Sequence, residues 1–321
     1  MNDQPKTLQQ AIQYYSDEQV CIDTVAALRW PDGPECPACG HKEHYYLKTQ
    51  KRWKCKECYK QFTVKLGSIF EDSAIPLNKW LVALWMLVNC RNGVSSYEIS
   101  RDLGITQKSA WFVLHRLRLA LQGSGFVRIG GDKKTVEVDE TFIGGKSRNM
   151  HRSRRRRVQI QNPENFGKTI VMGLLERGGK VKAEVIADRK GKALRNVITK
   201  HVEPFTTLCS DEWTGYSSIE QDYDHQVVNH LETYVNGEVH TNGIENFWSL
   251  FKRGLSGTYV AVEPFHLFRY VDEQAFRFNN RKDENGNKLN DFDRFKIALS
   301  HVAGKRLTFK EVTGKVGETS F

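Results

Sequence analysis

Apolar residues recur along this chain with two periods, and the change from one to the other falls near residue 130. Before that point the spacing is helical. Residues 7–30 carry apolar positions at helical spacing, with Ser16, Asp17 and Glu18 suited to open a helix into Val20-Cys21 and Ala26-Ala27-Leu28. Pro31-Asp32-Gly33-Pro34 stops it. Residues 78–90 are nearly all apolar and predict a buried helix. Residues 94–121 predict a helix pair. The first helix ends at Leu103-Gly104, Ile105 packs the turn, and Thr106 caps a second helix that keeps Ala110, Val113, Leu114 and Leu117 inward. Gly123-Ser124-Gly125 and Gly130-Gly131 then bracket a linker.

Beyond the linker the strand period takes over. Strands are predicted over 135–141, 168–176 and 181–187, the last two flanking the hairpin turn Arg177-Gly178-Gly179-Lys180. A helix near 191–203, strands at 206–210 and 225–229, a helix opening at about 242 and another over 263–280 follow. Three antiparallel strands and then alternating helix and strand predict an α/β fold, a mixed sheet with flanking helices of the ribonuclease H type. The chain therefore divides into an N-terminal helix with a cysteine module (1–70), a helical region (71–125), an α/β core (131–285) and a tail (286–321) to which the pattern assigns no role.

Charge narrows the partner. The 321 residues include 48 Lys and Arg against 38 Asp and Glu, a net charge of +10 that suits a polyanion. Between Gly144 and Val158 stand Lys146, Arg148, Arg152, Arg154, Arg155, Arg156 and Arg157 with no acidic residue among them. They read either as a solvated arginine-rich loop or as a contact for a nucleic-acid backbone. No run approaches a membrane span, and the N-terminus lacks a signal peptide's charged start and apolar run. The expectation is a cytoplasmic, nucleoid-associated protein whose seven cysteines stay reduced.

Cys36-Pro-Ala-Cys39 and Cys55-Lys-Glu-Cys58 are two C-x-x-C knuckles fifteen residues apart. Four thiolates so spaced can close a tetrahedral, structural zinc site, with Tyr45–Leu47, Arg52–Lys54 and Gln61–Val64 as the strands of a zinc ribbon. A redox pair is the alternative. Cys21, Cys90 and Cys209 stand alone in apolar surroundings as packing residues. On the helix after Thr106, residues Gln107, Lys108, Ser109, Trp111 and Arg116 remain for a DNA groove or phosphate if the pair is a helix-turn-helix, and for solvent if it is a plain hairpin.

Three acidic segments carry the candidate chemistry: Val136-Glu137-Val138-Asp139, Ser210-Asp211-Glu212 and Asn242-Gly243-Ile244-Glu245. Alternation puts Glu137 and Asp139 opposite the valines, with Asp139 at the carboxyl end of its strand. Asp211 also ends a strand. On the third segment Asn242, Glu245, Ser249, Lys252 and Arg253 share an arc of roughly 100° on a helical wheel. Ile244, Phe247, Trp248, Phe251 and Leu255 fill the opposite side. Taken one at a time, Asp139 and Asp211 read better as ordinary turn or cap residues, and Asn242 with Glu245 also fits a capping box. Taken together they could hold divalent cations, with Lys252 and Arg253 beside a phosphate.

The motifs Val-Asp-Glu-Thr-Phe-Ile-Gly-Gly-Lys (138–146), Asp-Glu-Trp-Thr-Gly-Tyr (211–216) and His-Thr-Asn-Gly-Ile-Glu-Asn-Phe-Trp-Ser-Leu-Phe-Lys-Arg-Gly (240–254) resemble those of bacterial insertion-sequence transposases of the DDE type. The resemblance is to the zinc-ribbon subgroup related to Merlin elements, with an ISXO2-like domain, and it spans roughly residues 20–285. It implies a ribonuclease H-like core, two Mg2+ or Mn2+ ions and movement of the encoding element. Asp139 and Asp211 match the first two acidic positions. Glu245, 34 residues after Asp211 and seven before Lys252, matches the third, with Asn242 the alternative because the group carries either residue type there. The implied partner is double-stranded DNA, element end and target, met through Lys108, Arg116, Arg154–Arg157 and Arg253, by at least a homodimer. A ribonuclease H-like nuclease or resolvase, or an inactive DNA-binding regulator, is the competing expectation.

Overall fold

The computed structural model describes residues 4–122, 127–145, 150–161, 167–211, 222–227 and 240–314. It divides into two units, 1–123 with 280–321, and 124–279.

The first unit opens with α1 (Leu8–Tyr14) and α2 (Glu18–Arg29). The helical stretch expected over 7–30 is interrupted because Asp17 serves as N-cap, its Oδ1 accepting from the Gln19 amide at 2.8 Å. Strands β1 (His44–Leu47), β2 (Arg52–Cys55) and β3 (Gln61–Phe62) form an antiparallel sheet in that order. Its small core is aromatic: Trp53 stacks on Phe62 with ring centroids 5.9 Å apart, and Trp30 meets both edge-on. Helix α3 (Leu77–Asn89) is buried from Trp80 to Val88 without a break, as a helix apolar all round must be. Helix α4 (Ser96–Leu103) starts in a capping box of Ser95 and Glu98 and ends at Gly104, whose φ of 60° is left-handed. Thr106 caps α5 (Gln107–Leu121), and Ala110, Val113, Leu114 and Leu117 are buried.

The second unit carries β4 (Thr135–Ile143), α6 (Arg152–Gln161), β5 (Thr169–Glu176), β6 (Val181–Ile186), α7 (Gly191–His201), β7 (Thr207–Ser210), β8 (Asp224–Val227), α8 (Asn242–Gly254) and α9 (Leu267–Asn279). The sheet order is β6-β5-β4-β7-β8; β5 is antiparallel to β4 and β6, while β7 is parallel to β4 and β8. Helix α7 covers one face through Leu194, Val197 and Ile198 on Val136, Val138, Ile170, Met172 and Leu174. Helices α8 and α9 cover the other through Ile244, Phe247, Trp248 and Val271 on Val171, Leu175 and Val181. Strand β4 therefore has apolar neighbours on both faces. The arginine-rich stretch read as a loop is helical over α6.

The tail without an assigned role belongs to the first unit. Helix α10 (Asp291–Ser300) packs Phe295 on Trp85 of α3 and on Tyr15, with centroids 5.4 and 5.5 Å apart. Lys305 Nζ donates to the carbonyls of Leu119, at 3.1 Å, and Gln122, at 2.9 Å, covering the last turn of α5. Helix α11 (Phe309–Val312) sets Phe309 against Phe112 and Trp111.

Candidate functional site

Residues 137, 139, 141 and 143 of β4 point to the α8 side of the sheet, and 136, 138, 140 and 142 to the α7 side. The strand runs to Ile143, so Asp139 sits at its middle rather than at its end. What ends near Asp139 is the pairing with β7, which covers residues 135–137 only. Past Glu137, among the described residues, β4 is paired only by β5. Its neighbour Asp211 follows the last residue of β7 directly.

Burial pushes the Asp139 carboxyl up to about 7, and the negative charges of Glu140, Asp211 and Glu245 push in the same direction. The Glu140 amide, donating to Asp139 Oδ1 at 2.8 Å, opposes them. Asp211 and Glu245 thus both lie within electrostatic reach of Asp139. Glu140 belongs to the other face, where Arg189 pairs with it at 2.9 Å. Beside Asp211, Ser210 Oγ donates to the Asp211 carbonyl at 2.9 Å and lies 2.8 Å from His225 Nε2 on β8. Residues 212–221, with the Trp-Thr-Gly-Tyr part of the second motif, lie outside the described residues.

Helix α8 presents Asn242, Glu245, Ser249, Lys252 and Arg253 on its exposed side and buries Ile244, Phe247, Trp248 and Phe251. The capping box considered for Asn242 and Glu245 does not form. Thr241 is the N-cap and makes no side-chain bond to the backbone; its hydroxyl donates to Glu245 Oε1 at 3.0 Å. The cap comes from another strand. Glu137 Oε2 accepts from the Ile244 amide at 2.9 Å, so a carboxylate stands at the positive end of α8. Glu137 is only 1 % exposed, and Arg177 Nε donates to its Oε1 at 3.0 Å, while His240 Nδ1 stands 3.2 Å from the same oxygen. Arg177 Nη2 also donates to the His240 carbonyl at 2.7 Å and to Cys209 Sγ at 3.8 Å. Glu137 is therefore held by Arg177 and the Ile244 amide, whereas Asp139, two residues on, accepts from the Glu140 amide. The sequence marked Arg177 only as a hairpin residue, and its role was invisible there.

In the ribbon the four sulfurs of Cys36, Cys39, Cys55 and Cys58 lie within 4.8 Å of one another. Cys36 to Cys58 and Cys39 to Cys55 are each 3.6 Å, close to the edge of about 3.8 Å that four Zn–S bonds of tetrahedral geometry require. Burial raises the Cys36 thiol, but the amides of Ala38 and Cys39 and the neighbouring thiols outweigh it and bring it down to about 7. The donor set fits zinc. Cys21 and Cys209 are buried, and Cys90 is half-buried.

Among the DNA-contact candidates, Lys252 and Arg253 are exposed, as are Arg155 and Arg156 of α6; the side chains of Arg154 and Arg157 lie outside the described residues. Lys108 is exposed over the ring of Phe309, 4.8 Å away. Arg116 departs from expectation. It is 4 % exposed, donates to the Glu71 carbonyl at 2.7 Å and lies between Trp80 and Phe112. The helical wheel put it outward, but Glu71, Trp80 and the C-terminal segment enclose that side of α5. Among the described residues no helix is long and apolar enough to cross a membrane.

Residues 129–279, which hold the whole five-stranded sheet with α8 and α9, match the family model of the ISXO2-like transposase domain. Residues 16–61 match that of a transposase zinc-ribbon domain. An uncharacterized protein in transposable element ISH50 of Halobacterium salinarum is 26% identical over 257 residues, 76% of this chain and 85% of that protein.

Proposed function

The chain belongs to the zinc-ribbon transposases with an ISXO2-like domain, and on that premise we propose that it binds the ends of its insertion sequence, cuts a DNA strand there and joins the freed end to a target. The observation that carries this reading is the half-buried Asp139 carboxyl, raised to about 7 by desolvation and by the charges of Glu140, Asp211 and Glu245. Three carboxyl groups from separate stretches concentrate negative charge at the edge where β4 and β7 part. Such a set suits hard divalent cations, since oxygen donors bind them and their charge relieves the repulsion.

Asp139, Asp211 and Glu245 would hold two Mg2+ or Mn2+ ions, with Asn242, one turn before Glu245, the alternative third residue. When bound, the ions supply activation of the attacking oxygen and stabilisation of the leaving one. Lys252 and Arg253, both about two turns beyond Glu245, hold a strand's phosphates over that edge. No side chain needs to form a covalent bond to DNA. The strand order, with β4 central and antiparallel partners on one side only, supports a ribonuclease H-like core. The ribbon and the α4–α5 pair, read as a helix-turn-helix with Lys108 exposed, supply end recognition. Exposed Arg155 and Arg156 add backbone contacts whose strength falls with salt. Holding two ends at once calls for at least a dimer on DNA, acting at the nucleoid in the cytoplasm.

The test is cleavage and strand transfer of an oligonucleotide bearing the element's own end, with Mg2+ or Mn2+. Asp139→Ala and Asp211→Ala abolish both steps and spare end binding. Full strand transfer by either variant overturns the assignment, and cleavage without any transfer by the wild type points to a nuclease instead.

A further inference from the structure

We propose that Glu137 and Arg177 form a positioning node that sets the spacing of the three acidic residues and thereby the affinity for divalent cation. This rests on the metal-holding role given above to Asp139, Asp211 and Glu245. The geometry is specific. Glu137 is two residues before Asp139 on the same face of β4. Its pairing partner across the sheet is Cys209, two residues before Asp211. Its Oε2 accepts the amide of Ile244, the residue before Glu245. One residue therefore meets all three segments within two residues of each acidic position: through its own strand, through its backbone pairing with Cys209, and through its carboxylate on the Ile244 amide.

Arg177 closes the node. It neutralises Glu137 through Nε and spans to the His240 carbonyl and to Cys209 Sγ through Nη2. Burying Glu137 without that cation would leave a desolvated charge, which is strongly unfavourable. Gly243 completes the fit: a methyl group there would stand 2.8 Å from Glu137 Oε2 and 2.6 Å from Leu175 Cδ2, so the first turn of α8 can settle onto the carboxylate only without a side chain. Glu137 and Arg177 act by fixing where the oxygens stand.

The test uses the zinc-loaded full-length protein and Mn2+ alone, titrated by electron paramagnetic resonance, with the metal dependence of cleavage as a second readout. Arg177→Ala weakens Mn2+ binding by about tenfold or more, in the range seen when groups that orient metal ligands are removed. Arg177→Lys recovers part of the loss, because an ammonium pairs with Glu137 but cannot reach all three partners. A purely structural contribution changes the fraction of molecules that bind, not the affinity of those that do. Glu137→Gln keeps an acceptor for the Ile244 amide and carries the same test if Arg177→Ala does not fold. Folded Arg177→Ala or Glu137→Gln protein with wild-type Mn2+ affinity overturns the proposal. A wild-type chain that neither binds Mn2+ nor cleaves overturns the functional reading, and this one with it. A wild-type chain that does both, beside variants that match it, overturns this one alone.

Discussion

Trp248 lies across the bare backbone of Gly173: a methyl group on Gly173 would stand 2.5 Å from Trp248 Cζ2 and 2.8 Å from Ile244 Cδ1. Gly173 is also the pairing partner of Asp139 across β4 and β5. The missing side chain opposite Asp139 is what lets α8 approach the sheet closely enough to bring Glu245 into its field. Gly173→Ala forces Trp248 outward and destabilises the protein by about 1–3 kcal/mol, read from urea unfolding. Cleavage should fall further than stability does, because α8 carries Glu245. An Ala variant as stable and active as the wild type would show that this approach is not required.

The Asp139 carboxyl predicts a pH dependence. Its folded value of about 7 exceeds the unfolded value of about 4, so between those limits the native state keeps a proton that the unfolded chain has released. Raising the pH across that window therefore lowers the stability of the metal-free protein. Asp139→Asn abolishes this component and is more stable than wild type at pH 7.5 without metal, by a margin that vanishes near pH 4. Added Mn2+ raises the melting temperature of the wild type and leaves that of Asp139→Asn unchanged. Calorimetric scans at several pH values check both.

Removing zinc unfolds the ribbon and spares the second unit. The three short strands have an aromatic core of Trp30, Trp53 and Phe62, too small to fold alone, so the metal supplies the folding free energy. Limited proteolysis in a strong chelator, or of Cys36→Ser, should cut between residues 40 and 60 while 129–279 stays intact. An unchanged digest with chelator would count against the metal site.

Arg116 and Lys252 separate structure from DNA contact. Arg116→Ala removes a buried hydrogen bond to the Glu71 carbonyl and costs about 1–3 kcal/mol of stability, with end affinity per folded molecule unchanged. Lys252→Ala leaves stability alone and lowers the slope of log affinity against log salt by about 1. Salt titrations of end binding with both variants decide it.

Lys305 tests the return of the chain to the first unit. Its three carbonyl contacts sit at the negative end of α5, and Lys305→Ala should lower stability by about 1 kcal/mol. Cutting the chain before Asp291 exposes Trp85 and Tyr15 and should yield aggregated protein, measurable by light scattering. A soluble, monodisperse truncation would refute that packing.

The sequence by itself determined whatever depends on residues a turn or two apart. The caps at Asp17 and Thr106, the left-handed stop at Gly104, the four-cysteine spacing and the division of β4 into a valine face and an acidic face all rest on local geometry, and the three acidic segments were readable in the same way. Only the tertiary structure decided which acid is exposed to which neighbour. Glu137 and Asp139 look alike in a strand, yet one caps a helix that begins 105 residues later in the chain, and the other is left under the charge of Asp211 and Glu245. Arg116 looked outward on the wheel until Glu71 and Trp80 enclosed it, and the tail looked idle until its partners proved to be α3 and α5. The physical reason is common to all of these. Burial and electrostatic surroundings are set by residues distant in the chain, and periodicity carries no information about which surface will arrive to cover a given side chain.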